Sequence, residues 1–309
     1  MISVVTCTHN PREAFLSRVA EGLRAQTLHT SQWEWIIVDN LSRSKVSSWL
    51  DVGWHQSARI LVEPELGLTP ARLRGIRETR HEQILFVDDD NILSPTYLES
   101  VACIFEQHKN LGAIGGSTDG EFEVPVPDWF TEREYEMLGI RSLDCDKWGR
   151  HSNTWDICPI GAGMAVRKSV ADEYTRQLET EADASRRKMD RCGDSLVSAG
   201  DIDLATTSFC LGLGVGRFCS LNLIHLIPEE RIAIDYLERL AEGIGYSGQQ
   251  MCLLNESLPQ EDSRWWPLRI KWIRSLVIRI RRARQLKRID QAYAAGKRLS
   301  IEDWRYKNA

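Results

Sequence analysis

The 309-residue sequence has no apolar run close to the roughly 20 residues that a membrane-spanning helix requires. We therefore expect a chain that does not cross a bilayer. A charged segment followed by an apolar one, which would indicate a secretory signal, is also missing at the start. The eight cysteines form no CxxC pair and match no histidine spacing. A zinc site is therefore disfavoured, and reduced thiols in a cytosol are expected.

Negative charge is missing from one segment near the C-terminus. The chain has a formal net charge of −5, yet residues 269–288 contain nine Lys or Arg and no Asp or Glu. Apolar residues there recur at alternating four- and three-residue steps, at Trp266, Ile270, Ile273, Val277 and Ile280. This pattern over 265–288 predicts a helix that binds an anionic membrane surface peripherally. The alternative is that this basic helix packs on the acidic remainder of the chain. Nucleic acid is disfavoured as a partner, because that acidic remainder would repel its phosphates.

Strand and helix patterns alternate through the first half of the chain. Five segments rich in β-branched and apolar residues predict strands: Ile2–Thr8, Trp33–Asp39, Ala58–Pro64, Glu82–Asp88 and Leu111–Ser117. Helical segments lie between them, most clearly at Thr69–Thr79. This alternation predicts an α/β fold with a mostly parallel, Rossmann-like central sheet flanked by helices. Ligands of such sheets bind at the carboxyl ends of the strands.

Three consecutive acids follow the fourth predicted strand. The apolar sequence ILFV runs directly into Asp88, Asp89 and Asp90, with no basic residue within several positions on either side. Capping a helix or turn needs one carboxylate, so the repulsion among three implies a positive partner. Mg²⁺ or Mn²⁺ fits this requirement, because both ions prefer carboxylate oxygens and are often shared with substrate phosphates.

Several later residues have both a structural and a functional interpretation. Trp129 and Trp155, in or beside a loop-like middle region, could stack on a sugar acceptor or only pin the loop to the core. Asp201 and Asp203 precede a helical run, where one would cap the helix and either could act as a general base. His225 lies in apolar surroundings, and such a histidine is more often a core residue than a ligand.

Taken together, these motifs resemble the inverting glycosyltransferases of the GT-A fold, specifically the large glycosyltransferase family 2. The similarity runs from Ile2 to about Gly245 and keeps the family's order of motifs: VVTCTHNP, IIVDN, GLTPARLRGI, LFVDDDNILSPTYLE, GAGMAVRKS and AGDIDL. The resemblance implies a GT-A catalytic domain over 1–250, with a nucleotide-sugar-binding half (1–117) and an acceptor and catalytic half (118–250). A basic amphipathic helical region, 251–309, would follow as a C-terminal extension.

The resemblance also implies roles at the donor site. The residues expected to bind the nucleotide sugar are Thr8, His9, Asn10, Asp39, Arg72, Asp88 and Asp89. Among them, Asp39 matches the acid that hydrogen-bonds a uracil ring. A Mn²⁺ or Mg²⁺ cofactor would be held by Asp90, with Asp88 and His225 as further candidate ligands.

The same resemblance places a catalytic base in the AGDIDL motif. Asp201 falls at the family's base. The family often has Glu immediately before that acid, and Gly200 stands there in this chain. Asp203 and Asp194 therefore stay open as alternative bases. Asp203 is also a candidate acceptor contact, together with the two tryptophans named above.

The function implied is metal-dependent, inverting transfer of a sugar from a nucleotide diphosphate, with uridine favoured through Asp39. The acceptor would be a hydroxyl of a glycan or lipid-linked molecule in cell-surface polysaccharide or lipopolysaccharide synthesis, at the inner face of the membrane. One alternative is a non-catalytic, membrane-associated scaffold of the same fold. Another is a phosphatase of the haloacid dehalogenase type, which is disfavoured because Asn91 and Ile92 follow the acids and three strands precede them.

Overall fold

The N-terminal half of the chain forms a parallel sheet. A computed structural model of the protein describes residues 1–150, 156–179, 186–254 and 276–307. The first four strands are β1 (Ile2–Thr8), β2 (Trp33–Asp39), β3 (Ala58–Val62) and β4 (Gln83–Phe86). They lie in the order β3-β2-β1-β4, and every pairing is parallel. The first four predicted strands are therefore present, and the third and fourth end about two residues before the predicted limits; the fifth, predicted over Leu111–Ser117, is present as a longer strand, Leu111–Phe122.

Three helices cover this part of the sheet: α1 (Glu13–Arg24), α2 (Leu68–Glu78) and α3 (Tyr97–Gln107). Helix α1 buries Leu16, Val19, Ala20 and Leu23, whose spacing forms one apolar face. Helix α2 begins after Gly67, where φ is +138°. That value lies in the region that favours glycine, so the chain can turn sharply into the helix at the sheet edge.

The second half of the chain extends the same sheet with mixed pairing. Its strands are β5 (Asn91–Leu93), β6 (Leu111–Phe122), β7 (Lys147–Gly149), β8 (Ala165–Arg167) and β9 (Gly214–Ile227). The sheet continues from β4 through β8, β6 and β9 to β5, and β7 pairs with β9. Of these contacts only β6 with β9 is parallel. The short helices of this half are α4 (Glu132–Met137), α5 (Lys168–Glu179) and α6 (Gly200–Thr206).

Two long helices close the described chain. Helix α7 (Ile234–Leu254) and helix α8 (Leu276–Lys307) pack on each other around Leu237, Leu240 and Ile289. Glycines allow this approach: a Cβ at Gly296 would lie 1.9 Å from the carbonyl oxygen of Glu242. None of the helices in the described ranges is long and apolar enough to cross a membrane.

The predicted membrane-binding helix is only partly covered by the structure. Residues 265–275 lie outside the described residues, and helix α8 begins at Leu276. At the end of the basic segment, Arg288 forms an ion pair with Asp235 at 3.1 Å and another with Glu238. This one arginine therefore packs on acids of helix α7, as the alternative interpretation expects, while membrane binding by 265–288 stays a prediction.

Candidate functional site

The carboxyl ends of the parallel strands open into a cavity of about 1470 Å³. Thr8 ends β1, and the acidic triplet Asp88–Asp90 follows β4, so the two segments meet at the same edge of the sheet. The Thr8 hydroxyl donates a hydrogen bond to the Asp89 carboxylate. All three acids of the triplet line the cavity, as the sequence predicted from the position of the strand ends.

Strand β9 and the turn that follows it bring two cationic or protonatable side chains, His225 and Arg231, to Asp90. The strand pairs with β5 so that His225 lies opposite Asn91, next to the triplet. Oδ2 of Asp90 is 3.3 Å from Nε2 of His225 and 2.9 Å from a guanidinium nitrogen of Arg231. Burial alone would raise the pKa of Asp90, but the nearby His225 and Arg231 hold it well below its usual range. Asp90 is therefore the acid of the triplet that ionises most easily.

The other two acids are harder to ionise. Burial, followed by the negative charge of Asp90, raises the pKa of Asp88. The same two causes raise the pKa of Asp89 to about 7, although the hydrogen bond from Thr8 opposes the shift. A dication at the cavity would favour ionisation of the remaining carboxylates.

The donor set at Asp90 suits a Mg²⁺ or Mn²⁺ ion, which would have to displace the Arg231 guanidinium, since one of its nitrogens lies 2.9 Å from Asp90 Oδ2 and 3.0 Å from His225 Nε2. An Asp90 oxygen and the Nε2 atom of His225 lie side by side, and both residues line the cavity. Within the described ranges no three His, Cys, Asp or Glu side chains converge into a ready-made metal cluster. The protein would therefore contribute one or two ligands and leave the other positions to water and diphosphate oxygens, as is usual for Mg²⁺ bound with a substrate.

Arg72 lies in the cavity wall on helix α2. Only 5% of its surface is exposed, and it donates a 2.7 Å hydrogen bond to Asp190 Oδ2. Its guanidinium carbon lies 5.7 Å from the centre of the Phe86 ring. Burial disfavours the charged form, but the Asp190 carboxylate outweighs it and raises the pKa of Arg72. The structure therefore presents a fixed positive charge beside the acidic triplet.

Asp201 begins helix α6 and also lines the cavity. Its two carboxylate oxygens accept backbone hydrogen bonds, at 2.7 Å from Gly161 N–H and at 2.8 Å from Ile202 N–H. Burial raises the pKa of Asp201, while the positive charge of Arg72 opposes the shift. A carboxylate that is oriented by two backbone donors and has a raised pKa is suited to accept a proton from a bound hydroxyl.

The two alternative bases occupy different surroundings. Asp203 is only 2% exposed and lies 3.8 Å from Arg186, behind the surface that lines the cavity. Asp194 is exposed in a surface turn. Of the three acids, Asp201 is the one that faces the cavity, so the geometry favours it as the base. The predicted acceptor contact of Asp203 is untested.

The expected nucleobase contacts follow β1 and β2. His9 lines the cavity, and its Nδ1 lies 2.6 Å from the carbonyl oxygen of Asn40. Asn10 has a φ of 51° and its side chain accepts a hydrogen bond from Arg43 N–H. Asp39 is buried, and its two oxygens accept 3.0 Å hydrogen bonds from the backbone N–H groups of residues 42 and 46. Its observed contacts therefore stabilise the loop after β2, and uracil binding by Asp39 stays a prediction.

Of the two tryptophans proposed to contact the acceptor, the structure describes Trp129. Trp129 packs with Phe130, their ring centres 4.8 Å apart, against the core formed around helix α7. This arrangement matches the alternative in which the ring pins the loop. Trp155 lies outside the described residues.

Two charged residues of the site were not among the candidate ligands from sequence. Asp190 belongs to the segment KMDRCGD, which shows no periodicity or strand-end signal. Arg231 was visible only as a basic residue six positions after His225, and its contact with Asp90 spans 141 positions. Neither contact could be derived from local spacing.

Comparison with known proteins places the chain among glycosyltransferases. A family model described as "Glycosyl transferase family 2" matches residues 3–174. A Haemophilus influenzae protein named as an uncharacterized glycosyltransferase is 31% identical over 114 residues, covering 37% of each chain. The glucosyl-dolichyl phosphate glucuronosyltransferase of Haloferax volcanii is 25% identical over 172 residues, covering 55% of this chain and 53% of the relative. The matched part thus spans about half or less of these relatives.

Solved structures agree with the predicted fold. Staphylococcus aureus TarS in complex with UDP-GlcNAc superposes with a TM-score of 0.52 at 15% identity, covering 94% of this chain and 81% of that one. GalNAc-T7 with UDP, GalNAc and Mn²⁺ superposes with a TM-score of 0.53 at 14% identity, covering 86% and 53%. These similarities confirm the GT-A fold.

Proposed function

The chain belongs to glycosyl transferase family 2, and we propose that it transfers a sugar from a UDP-sugar to an acceptor hydroxyl with inversion at the anomeric carbon. The observation that carries this proposal is the placement of the acidic triplet Asp88–Asp90 and of Asp201 in the wall of one cavity. The acidic triplet is suited to bind a diphosphate together with its cation. Asp201 is suited to accept the proton of an attacking hydroxyl. Single displacement between them would invert the anomeric centre.

The donor is proposed to bind across the carboxyl ends of β1, β2 and β4. Thr8, His9 and the triplet line the cavity there, with Arg72 as a buried positive charge. TarS, which shares the fold, has been solved with UDP-GlcNAc, and this supports a UDP-sugar as donor. The Arg72 guanidinium would then favour the negative charge that develops on the departing diphosphate.

We propose a divalent cation, Mn²⁺ or Mg²⁺, held by Asp90 and His225, with Asp88 available as a further ligand. When bound, such an ion neutralises developing charge on the leaving phosphate as a Lewis acid. The chain's own contribution is to keep Asp90 ionised through the positive charge of Arg231 and to place the His225 imidazole beside it. GalNAc-T7, another protein of this fold, has been solved with Mn²⁺ and UDP.

Asp201 is the proposed general base. The N–H groups of Gly161 and Ile202 fix its carboxylate at the start of helix α6. From that position it would take the proton of the acceptor hydroxyl as the oxygen attacks the sugar.

The acceptor is proposed to be a glycan or lipid-linked molecule used in cell-surface polysaccharide synthesis. Beyond Asp201, the cavity continues along one face of helix α7, where Tyr236, Leu240, Ile244 and Met251 line it. This apolar wall supports an acceptor with an apolar portion near its reacting hydroxyl. The name of the Haloferax relative, a glucosyl-dolichyl phosphate glucuronosyltransferase, points to a lipid-linked sugar in that protein. Binding of the basic segment 265–288 to the inner face of an anionic membrane would bring such an acceptor close.

The experiment that tests this function is release of UDP from a panel of UDP-sugars with Mn²⁺ and candidate lipid-linked acceptors. We expect one donor to be turned over by the wild type and not by Asp201→Asn. If neither protein releases UDP with any donor, the non-catalytic scaffold becomes the better interpretation. Turnover of p-nitrophenyl phosphate through a covalent aspartyl phosphate would instead support the phosphatase alternative.

A further inference from the structure

A buried carboxylate lies in the cavity wall without a role in the chemistry described above. Asp190 is 5% exposed, and its Oδ2 accepts hydrogen bonds from two groups of helix α2. The Arg72 guanidinium donates at 2.7 Å and the Thr69 hydroxyl at 3.0 Å. Both ends of this ion pair are almost fully buried, at 6% and 4% side-chain exposure. Such a pair is retained only where its geometry is well satisfied, because removing one partner leaves an uncompensated buried charge.

The Asp190 carboxylate occupies the space that a side chain at residue 200 would need. A Cβ built on Gly200 would lie 2.2 Å from Oδ2, 2.4 Å from Cγ and 2.5 Å from Oδ1 of Asp190. Real Cβ atoms do not approach other atoms so closely, so Gly200 and Asp190 are sterically complementary. The space beside Gly200 is thus filled by the carboxylate of Asp190, a residue ten positions earlier in the chain.

The geometry points to Asp190 as the positioning residue that holds the Arg72 guanidinium in the donor cavity. The Asp190 carboxylate occupies the space that an acidic side chain at residue 200 would otherwise fill. This inference rests on the proposed function, since it assigns Arg72 to the nucleotide diphosphate. It also explains the glycine in the AGDIDL motif, where the resemblance predicts Glu: the acidic group is present but comes from another segment.

Position and charge both matter for this role. An arginine side chain has several rotatable bonds, and one fixed acceptor at the guanidinium selects the conformer that faces the cavity. Thr69 holds the same carboxylate oxygen from the preceding turn of helix α2, so the acceptor itself cannot swing away. Asp190 also stands near Asp201, and its negative charge raises the pKa of that base.

The test compares three variants with the wild type: Asp190→Asn, Asp190→Ala, and the double variant Asp190→Ala with Gly200→Glu. The matched control is Asp172→Asn, an exposed acid of helix α5. UDP affinity with Mn²⁺ is measured by calorimetry, and KM and kcat are measured for the active donor. Thermal melting identifies any variant that does not fold.

We expect Asp190→Asn to weaken UDP binding and raise the donor KM by about tenfold, as befits loss of one charge-assisted contact. The double variant should recover UDP affinity to within about threefold of the wild type, since the glutamate introduced by Gly200→Glu can reach the space that Asp190 has left.

Two results would overturn the inference. One is a folded Asp190→Asn enzyme with the wild-type donor KM and UDP affinity, whether or not its melting temperature falls. The other is a double variant as weak as Asp190→Ala, which would show that a carboxylate at this place does not matter. If the wild-type protein turns over no UDP-sugar, the proposed function is contradicted and this inference falls with it. If the wild type is active and Asp190→Asn has the same donor KM and UDP affinity, only the inference is contradicted.

Discussion

Nε2 of His225 lies 3.3 Å from Oδ2 of Asp90, although 135 residues separate them in the chain. The pairing of β5 with β9 creates this contact, because it sets His225 opposite Asn91. A carboxylate and an imidazole at this separation, both facing the donor cavity, form the pair of ligands that we assign to the cation.

The first prediction concerns this pair of ligands. Replacing His225 by Ala should weaken UDP binding in Mn²⁺ while leaving the weaker binding in EDTA unchanged, because only the metal-dependent contact is lost. Loss of a residue that only supports a metal ligand typically costs about 10–100-fold in affinity, so loss of a direct ligand should cost at least about tenfold. Calorimetric titration with UDP, with and without Mn²⁺, measures both values. Equal affinity of the variant and the wild type in Mn²⁺ would show that His225 is a core residue instead.

The second prediction distinguishes the base from the nearby acids. Asp201→Asn should lower kcat by about 10²–10⁴-fold and leave UDP affinity nearly unchanged, because the base acts on the acceptor and does not hold the donor. Asp194→Asn, at an exposed turn, should keep most of the activity. Steady-state kinetics with the active donor measures these effects. A folded Asp201→Asn enzyme with wild-type kcat would assign the base elsewhere.

The third prediction is the pH dependence of the reaction. Burial raises the pKa of Asp201, and a base works only in its ionised form. Activity should therefore fall, as pH decreases, at a higher pH than an ordinary aspartate would give. The profile of kcat/KM against pH measures this limb. Asp89 has a pKa raised to about 7 and could produce a similar limb, so Asp89→Asn is the control: the limb of Asp201 should persist in that variant.

The fourth prediction concerns packing of the two C-terminal helices. A Cβ at Gly296 would lie 1.9 Å from the carbonyl oxygen of Glu242, so Gly296→Ala must push helices α7 and α8 apart. We expect a loss of about 1–3 kcal/mol in the free energy of unfolding, as for overpacked cores. Chemical denaturation measures it.

Gly248→Ala provides the matched control for that packing effect. A Cβ at Gly248 in helix α7 would meet no atom within 4 Å. Alanine favours the helix over glycine by about 1 kcal/mol, so this variant should be as stable as the wild type or more stable. Similar destabilisation by both substitutions would mean that the close approach of the helices is not what requires glycine.

The fifth prediction tests membrane binding by the basic segment. Replacing Arg279, Arg281, Arg282 and Arg284 by Gln should reduce sedimentation with anionic vesicles, because each basic residue near such a surface contributes about 1 kcal/mol. Neutral vesicles should bind neither protein. Arg288 is left in place because it pairs with Asp235 and Glu238 on helix α7. Unchanged sedimentation of the variant would favour the interpretation in which the segment packs on the protein.

Local sequence patterns predicted those parts of the molecule that local physics determines. The limits of β1 and β2 agree with the predicted segments, because each is rich in β-branched and apolar residues that the sheet buries on both faces. The acidic triplet was found for the same reason, since a buried parallel strand must deliver its next residues to the ligand-binding edge. Asp201 was identified by its place at a helix start in a motif of the family.

The remaining parts depend on contacts that are distant in sequence. Strand β9 joins β6, β7 and β5, and no periodicity in the chain specifies those partners. The Arg72–Asp190 pair links residues 118 positions apart, and the signal for it was only the unexpected glycine at residue 200. In the same way, the sequence alone left both Trp129 interpretations open, and the packing with Phe130 is visible only in the folded chain.

The most direct test of the account is a crystal of the protein soaked with Mn²⁺ and UDP, with anomalous scattering recorded at the manganese edge. We expect one manganese peak in contact with Asp90 and His225 and next to the diphosphate of UDP, with the uracil beside the ends of β1 and β2. Nucleotide bound outside this cavity, or a diphosphate seated at the triplet against Arg231 with no manganese beside it, would contradict the central claim.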